Sequence, residues 1–364
     1  MAADSPAKHG GNILALARTH DLPLEALHDF SASINPLGMP AGVATAMQAA
    51  LDEAGHYPEQ HGERLVEALA ARYGLAPESL LAGHGSTELI YLLPRVLRPR
   101  SATIVTPAFG EYARALTQAG IPFTHYPLDP ENGFVLDPEA LVARLEPSCE
   151  LVILANPGNP SGGPLDPALL ADLAVRLAGR ATLLVDEAFV DFCPAASLLD
   201  TRHEHDNLYL LRSLTKFYAI PGLRAGYLAG PPDGVAALRN AQEPWSLSAP
   251  ALHAALACLD DTAYRRATLR TLPRLRRQLA AGLTRLGLEV FDSAANYLLC
   301  RLPIDCSAAT LATLLQLRGI LVRSCEDFTP LDERYLRVAV RDSDENRLLL
   351  RSLGALLPES ATDA

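Results

Sequence analysis

Between about residues 100 and 215 the apolar positions come in short unbroken runs, separated by longer stretches with helical spacing. Ala102-Thr103-Ile104-Val105-Thr106 predicts a strand that stops at Pro107. Leu151-Val152-Ile153-Leu154 predicts a second, stopped by Asn156-Pro157-Gly158-Asn159-Pro160. Thr182-Leu183-Leu184-Val185 predicts a third, ending at Asp186-Glu187, and Leu208-Tyr209-Leu210-Leu211 a fourth, followed by Arg212-Ser213. None of these runs alternates apolar with polar residues. A strand reads this way when both of its faces are covered. Segments 138–145 and 166–178 carry helical patterns, and strand–helix–strand repetition specifies an α/β fold: a mostly parallel central sheet with helices on both faces.

After about residue 240 the texture changes. An Ala/Leu/Arg-rich helical region over 247–286 precedes strands near 288–302, 320–324 and 335–340, and a helix around 343–356 follows. This pattern predicts a smaller α+β domain. The expected organisation is an N-terminal arm at 1–45 joining the small domain, a large domain at 46–240, and a linker helix with the small C-terminal domain at 241–364. No internal repeat interrupts it.

The 364 residues are enough for one large domain plus a smaller one, and 49% apolar with 20% charged residues is an ordinary globular balance. Disorder, fibre and collagen are excluded. Against 42 Asp+Glu stand 31 Lys+Arg, a net charge of −11. That field repels nucleic acid and anionic lipid, so an anionic ligand needs a local cationic pocket. Six cysteines, none in a C-x-x-C pair, read as reduced and mostly buried thiols of a cytosolic protein. No signal-peptide core and no stretch long enough to span a bilayer is present, and the expected location is the cytoplasm.

Polar, turn-forming residues gather where the predicted strands end, the edge at which open α/β sheets bind ligands. The second strand empties into Asn159, the third into Asp186, the fourth into Ser213 and Lys216. A lysine among apolar residues at a strand end has a depressed pKa if desolvated, which makes Lys216 a candidate amine nucleophile for a Schiff base. Arg224 lies beyond the Pro221-Gly222 turn, so the chain can fold back and bring its guanidinium near Ser213. A hydroxyl, a lysine and an arginine around one turn make a phosphate seat; the plain alternative is a surface loop with two ordinary cations. Gly83-His84-Gly85-Ser86-Thr87-Glu88 precedes the helical run 89–93, where free amides of a first turn attract an anion, although most such turns merely start a helix. Asp186 ends a buried apolar strand, and a carboxylate there needs a cationic partner such as a protonated heterocyclic nitrogen.

Three competing motifs fail on their missing parts. Leu184-Val185-Asp186-Glu187 resembles the acidic strand of a P-loop NTPase, but no G-x-x-x-x-G-K-[ST] loop exists. Ser213-x-x-Lys216 matches the nucleophile motif of penicillin-binding proteins, without their S-D-N-like and K-T-G elements. His203-Glu204-His205-Asp206 has no third metal ligand at a fixed spacing and reads as a solvated loop.

Over about residues 9–355 these features together resemble the fold-type-I aminotransferases that depend on pyridoxal 5′-phosphate. The resemblance implies that residues 46–240 form the cofactor-binding domain. It implies that Lys216 carries the cofactor as a Schiff base, that Asp186 pairs with its ring nitrogen, and that Asn159 bonds its ring hydroxyl. Gly85, Ser86, Thr87, Ser213 and Arg224 would hold its phosphate, and Phe109, in Pro107-Ala108-Phe109-Gly110-Glu111-Tyr112, would stack on its ring. Tyr57, in His56-Tyr57-Pro58, matches a tyrosine that reaches the phosphate site of the neighbouring subunit, which implies a homodimer with shared active sites. Arg337, in Tyr335-Leu336-Arg337-Val338, matches an arginine that binds the substrate's anionic group. Phe189 stands where many members have a tyrosine near the ring hydroxyl. One hydrogen bond is lost, which should alter the pKa of the Schiff base without abolishing catalysis.

Within that family, His9-Gly10-Gly11-Asn12, Asp29-Phe30-Ser31-Ala32-Ser33-Ile34-Asn35-Pro36-Leu37-Gly38, the stretch 211–224 and Phe189 are similar to a branch that decarboxylates L-threonine O-3-phosphate to (R)-1-aminopropan-2-yl phosphate in cobalamin synthesis. The implied substrate is a small phosphorylated amino acid, gripped at its phosphate by Arg323 and Arg337 with His9 and the backbone at Gly10. Asn159 would also face the substrate. Ser33 stands where this branch has an asparagine, and its shorter hydroxyl still donates. The nearest alternative is a histidinol-phosphate type of aminotransferase using the same two arginines. A non-catalytic pyridoxal-phosphate-binding regulator usually carries a DNA-binding domain, for which two lobes leave no room.

Overall fold

The structure is a computed structural model and describes residues 10–357. The chain's first strand, β1 (His28–Asp29), lies in the arm. Seven strands follow: β2 (Leu80–His84), β3 (Ser101–Thr106), β4 (Phe123–Pro127), β5 (Cys149–Ala155), β6 (Thr182–Asp186), β7 (Leu208–Ser213) and β8 (Ala225–Ala229). They form one sheet in the order β2-β8-β7-β6-β5-β3-β4, in which β8 alone runs antiparallel to both neighbours. The four unbroken apolar runs are β3, β5, β6 and β7, in the middle of that sheet. Leu151 to Leu154 are all buried, each side chain contributing about 1.5–3 kcal/mol.

Helix Pro167–Leu177 shows how sequence makes the covering layer. The Asp166 side chain accepts from Ala168 N at 2.9 Å, Pro167 takes the first helical position, and Leu170, Leu173, Ala174 and Leu177 bury one face. Three strands were not legible. The Gly83-His84-Gly85 turn masks β2, the edge strand β4 is polar and partly exposed, and β8 is small and weakly β-forming. Position between β2 and β7, not propensity, makes β8 a strand.

The C-terminal part is more finely divided than its pattern suggests. The helical region 247–286 is two helices, Ala249–Asp260 and Thr262–Arg285, because the Asp261 side chain caps the second by accepting from Tyr264 N. The run 288–302 is two strands, β9 (Glu289–Val290) and β10 (Tyr297–Arg301). The run 320–324 also divides, into β11 (Ile320–Leu321) and β12 (Arg323–Ser324). With β13 (Tyr335–Ala339) they give an antiparallel sheet β12-β13-β10-β9, while β11 pairs in parallel with β1. The arm is thus hydrogen-bonded into the C-terminal part, His28 opposite Ile320.

The 203–206 segment differs from a fully solvated loop: Arg202 and His205 are buried, and Arg202 donates to the His205 carbonyl. Among the described residues no acidic, His or Cys cluster suits a metal, and no helix is long and apolar enough to cross a membrane. All six cysteines are free and four are buried, and burial pushes the Cys258 and Cys325 thiols up to about 12.

Candidate active site

Strands β5, β6 and β7 end at the rim of a cavity of about 910 Å³ between the large sheet, the arm and β12–β13. Asp186, the last residue of β6, is buried there. Its Oδ2 accepts the Tyr112 hydroxyl at 2.5 Å and its Oδ1 the Ala188 N–H at 2.9 Å. Burial pushes its carboxyl above the ordinary value, while the Tyr112 and Ala188 donors and the Lys216 charge pull it down.

Ser213 ends β7 and caps the single turn Leu214–Phe217 that carries Lys216. Its Oγ accepts from Thr215 N at 3.3 Å and lies 2.7 Å from Thr215 Oγ1. Desolvation pulls the Lys216 amine down to about 8, helped by the cations of Arg224 and Arg337 and opposed by Asp186. The lysine is therefore able to exist as a free amine near neutral pH.

Helix Gly85–Leu97 begins beside Arg224. Gly85 has φ +73°, and a Cβ there would lie 2.5 Å from Arg224 Nη2. Only glycine lets the guanidinium lie against this N-terminus. Ser86, Thr87, Ser213 and Arg224 all line the cavity, so amide dipoles, hydroxyls and a cation converge on one anion seat. Arg224, held left-handed at φ 56°, is itself depressed in pKa by burial.

On the other side Phe109 meets Tyr112 edge to face, with ring centroids 5.9 Å apart. Asn159 follows β5, and its Oδ1 accepts from Arg337 Nη1 at 2.6 Å. Arg337 is buried on β13, donates from Nη2 to the Ser31 carbonyl at 2.9 Å and lies over the Tyr297 ring. Arg323 faces it across β12–β13 in direct register. Ser33 lines the cavity, and its buried Oγ has no hydrogen-bond partner among the described residues. Gly10 lies so close that a Cβ would sit 2.2 Å from the Ser31 carbonyl, which seats the arm on the 31–33 loop. Asp29 fixes that loop by accepting from Ser31 N, Ser31 Oγ and Ala32 N.

The structure thus brings together Lys216, Asp186, Asn159, Ser86, Thr87, Phe109, Ser213, Arg224, Gly10, Ser33, Arg323 and Arg337, with Gly85 directly behind. Tyr57 is not brought there. It is 81% exposed and stacks on Trp245. His9 lies outside the described residues. Phe189 lines the cavity edge-on to Tyr297, whose hydroxyl donates to the Gly158 carbonyl.

Sequence reasoning missed Tyr112 and Asp327, which reach the site only through helix and loop geometry. It also missed a buried network behind the site, in which Arg212 pairs with Glu187 at 3.0 Å and with Asp191 at 2.9 Å, and Arg265 reaches Asp191. One signal was available: Glu187 and Arg212 each adjoin a site residue, and strand alternation sends neighbours to opposite faces.

Residues 27–353 match the model of the family described as aminotransferase class I and II. The chain belongs to this family. Its cofactor is accordingly pyridoxal 5′-phosphate and it is an enzyme, as the sequence resemblance implies. It is 39% identical over 353 residues to a threonine-phosphate decarboxylase from Salmonella typhimurium, covering 96% of each chain. It is 35% identical to a histidinol-phosphate aminotransferase from Nitratidesulfovibrio vulgaris, over 90% of this chain and 87% of that one. Among solved family structures, the histidinol-phosphate aminotransferase from Clostridium acetobutylicum superposes with a TM-score of 0.85 at 28% identity, over 91% of this chain and 99% of that one.

Proposed function

We propose that this enzyme decarboxylates L-threonine O-3-phosphate to (R)-1-aminopropan-2-yl phosphate, the aminopropanol linker precursor of cobalamin, as a cytoplasmic homodimer. The observation that carries the phosphorylated-substrate part of the reading, common to both candidate activities, is the pair of guanidinia, Arg323 and Arg337, side by side on β12 and β13 and facing the cavity of Lys216. A planar fork suits phosphate oxygens, and two of them suit a dianion. The 39% likeness to a threonine-phosphate decarboxylase points the same way.

The residues present fit the cofactor. The Gly85–Arg224 cradle, which a Cβ would fill, takes its phosphate together with Ser86, Thr87 and Ser213. Lys216 would tether it, Asp186 would pair with its ring nitrogen, Phe109 would cover its ring, and Asn159, whose amide oxygen accepts from Arg337, would have its NH₂ left for the ring hydroxyl. Tyr57, exposed and away from its own cavity, serves the phosphate seat of the second subunit. From Gly10 onward the arm would line the substrate side, residues 46–240 would hold the cofactor, and the small domain that begins at 241 would supply both arginines. Bound there, the cofactor would supply an electron-accepting ring conjugated to the substrate's α-carbon. Asp186 keeps a negative charge beside the ring nitrogen. Arg323, Arg337, Ser33, His9 and the Gly10 backbone would hold the phosphate and so fix which bond at the α-carbon is presented for cleavage. Once carbon dioxide has left, the Lys216 ammonium, free of its tether, or water would give a proton to the α-carbon, so that a C–H bond replaces the C–C bond broken.

Holoenzyme mixed with phosphothreonine in a single turnover is expected to release carbon dioxide without accumulating pyridoxamine phosphate. Transamination without carbon dioxide would move the assignment to the second reading, a histidinol-phosphate type of aminotransferase, which the 28%-identical solved structure favours.

Two further outcomes follow from the site. Because the folded-state Lys216 pKa is about 8, the free amine fraction rises tenfold per pH unit below that value and levels above it. The rate at which apoenzyme takes up pyridoxal 5′-phosphate, followed by absorbance, should trace that curve. A profile still climbing at pH 10 would refute the depressed value. Tyr112→Phe removes a hydrogen bond to a buried carboxylate, worth about 1.5–3 kcal/mol. The Asp186 carboxyl should rise further in pKa and the equilibrium affinity for pyridoxal 5′-phosphate should fall about tenfold or more. An unchanged dissociation constant would show that the contact is only packing.

A further inference from the structure

Arg323 and Arg337 occupy one cross-strand register but are satisfied by opposite kinds of partner. Arg337 donates to two neutral acceptors, the Asn159 amide oxygen and the Ser31 carbonyl, and makes no direct ion pair among the described residues, Asp29 acting on it only through space. Arg323 is turned back onto its own loop. Its Nη1 donates to the Ser324 carbonyl, its Nη2 to both oxygens of Asp327 at 2.8 and 2.6 Å, and its guanidinium lies 5.0 Å over the Phe328 ring. A carboxylate thus lines the very cavity whose cations are read as a phosphate seat.

We propose that Asp327 is a displaceable counterion for Arg323, exchanging with the phosphate of substrate and product, and that it sets how quickly the product leaves. The proposal rests on the phosphate-binding reading of the two arginines. Like charges directly opposite on neighbouring strands destabilise the pair, and Asp327 offsets this when no phosphate is held. The two partners differ in freedom: the Arg323 side chain is 10% exposed, that of Asp327 34%. Arg323 is fixed by its strand and by Phe328, whereas the Asp327 carboxylate can turn into water without unpacking anything. Exchange therefore needs one loop side chain to rotate.

The chemistry gives this exchange a purpose. Decarboxylation removes the carboxylate and leaves the phosphate intact, so nothing in the reaction itself loosens the grip on the phosphate. Binding energy that substrate and product share lowers KM and retards release without speeding the chemical step. A resident carboxylate competing for one of the two arginines weakens both complexes alike and so restores turnover. Asp327 acts through Arg323 and is a positioning residue.

The test uses holoenzyme, with its cofactor seat filled, and inorganic phosphate at pH 8 as the probe. Asp327→Asn keeps the shape and removes the charge. It is expected to bind phosphate about tenfold more tightly, the size of one charge-assisted hydrogen bond. KM for phosphothreonine and kcat should fall together, while the single-turnover rate of carbon dioxide release stays at the parental value. Asp327→Ala, which cannot substitute a new hydrogen bond, should move phosphate affinity in the same direction. Unchanged or weaker phosphate binding in both variants would overturn the proposal and make Asp327 a prop for Arg323. Arg323→Gln separates this from the parent reading. If it leaves phosphate affinity unaltered, the two-arginine seat itself falls; if it weakens binding while the Asp327 variants fail to tighten it, only the exchange does.

Discussion

Lys216→Ala is expected to lower turnover of phosphothreonine by at least about 10³–10⁴-fold, the upper range for a positioned proton carrier, before any loss from the missing tether is added. The effect has a second signature that does not depend on activity. Borohydride reduction should fix the cofactor covalently to the parent protein and not to the variant. Folding gives a third. The Lys216 pKa is about 8 in the folded chain against an ordinary 10.5, so between these values the unfolded chain binds more protons. Stability of the apoenzyme should therefore rise with pH from about 8 to 10.5 through this group, and Lys216→Ala should lack that rise. Below pH 8 the variant, freed of a desolvated cation, should melt no lower than the parent. A variant that is active and still fixes the cofactor on reduction would end the assignment of this lysine.

Asp186→Asn is the second large effect. The replacement keeps the shape and leaves an oxygen for the Tyr112 hydroxyl, but it removes the charge from a site where water is excluded. Preorganised electrostatic stabilisation of this kind is worth about 10²–10³ in kcat. The loss should appear in kcat and in single-turnover carbon dioxide release, with KM for phosphothreonine nearly unchanged, because the Asp186 carboxylate bonds Tyr112 and Ala188 rather than the arginine pair. Asp186 also raises the Lys216 pKa. Neutralising it should shift the apoenzyme's cofactor-uptake profile to lower pH, an outcome that packing damage would not produce. Parental kcat with an unshifted profile would remove Asp186 from the mechanism.

The site was legible where chemistry and chain order coincide. Asn159, Asp186, Ser213 and Lys216 each close a buried strand or the turn just after it, so an apolar run followed by one polar residue marks them. Arg224 was legible through its Pro-Gly turn. Tyr112 was not, because a tyrosine on helix Glu111–Gln118 reads as ordinary packing until the helix docks its hydroxyl on Asp186. Asp327 was not, because an acid four residues from an arginine reads as an ordinary local ion pair until the fold brings both to the cavity. In the fold, β4 and β8 were missed for a related reason: an edge strand is partly polar, and a small-residue strand exists only because its neighbours hold it.

By itself the sequence determined the parallel α/β layer and the order of polar groups at its strand ends, since these follow from local apolar periodicity and from residues next to one another in the chain; a cofactor role for Lys216 came from the family resemblance. Only the tertiary structure decided how the arm at Ser31, the strand end at Asn159 and the arginine of β13 meet, because those contacts join segments more than 100 residues apart. It also decided charge. Burial depresses Lys216 and raises Asp186, and Arg323 is paired with Asp327 whereas Arg337 is held by neutral acceptors. Desolvation depends on everything packed around a group, which no single stretch of sequence contains.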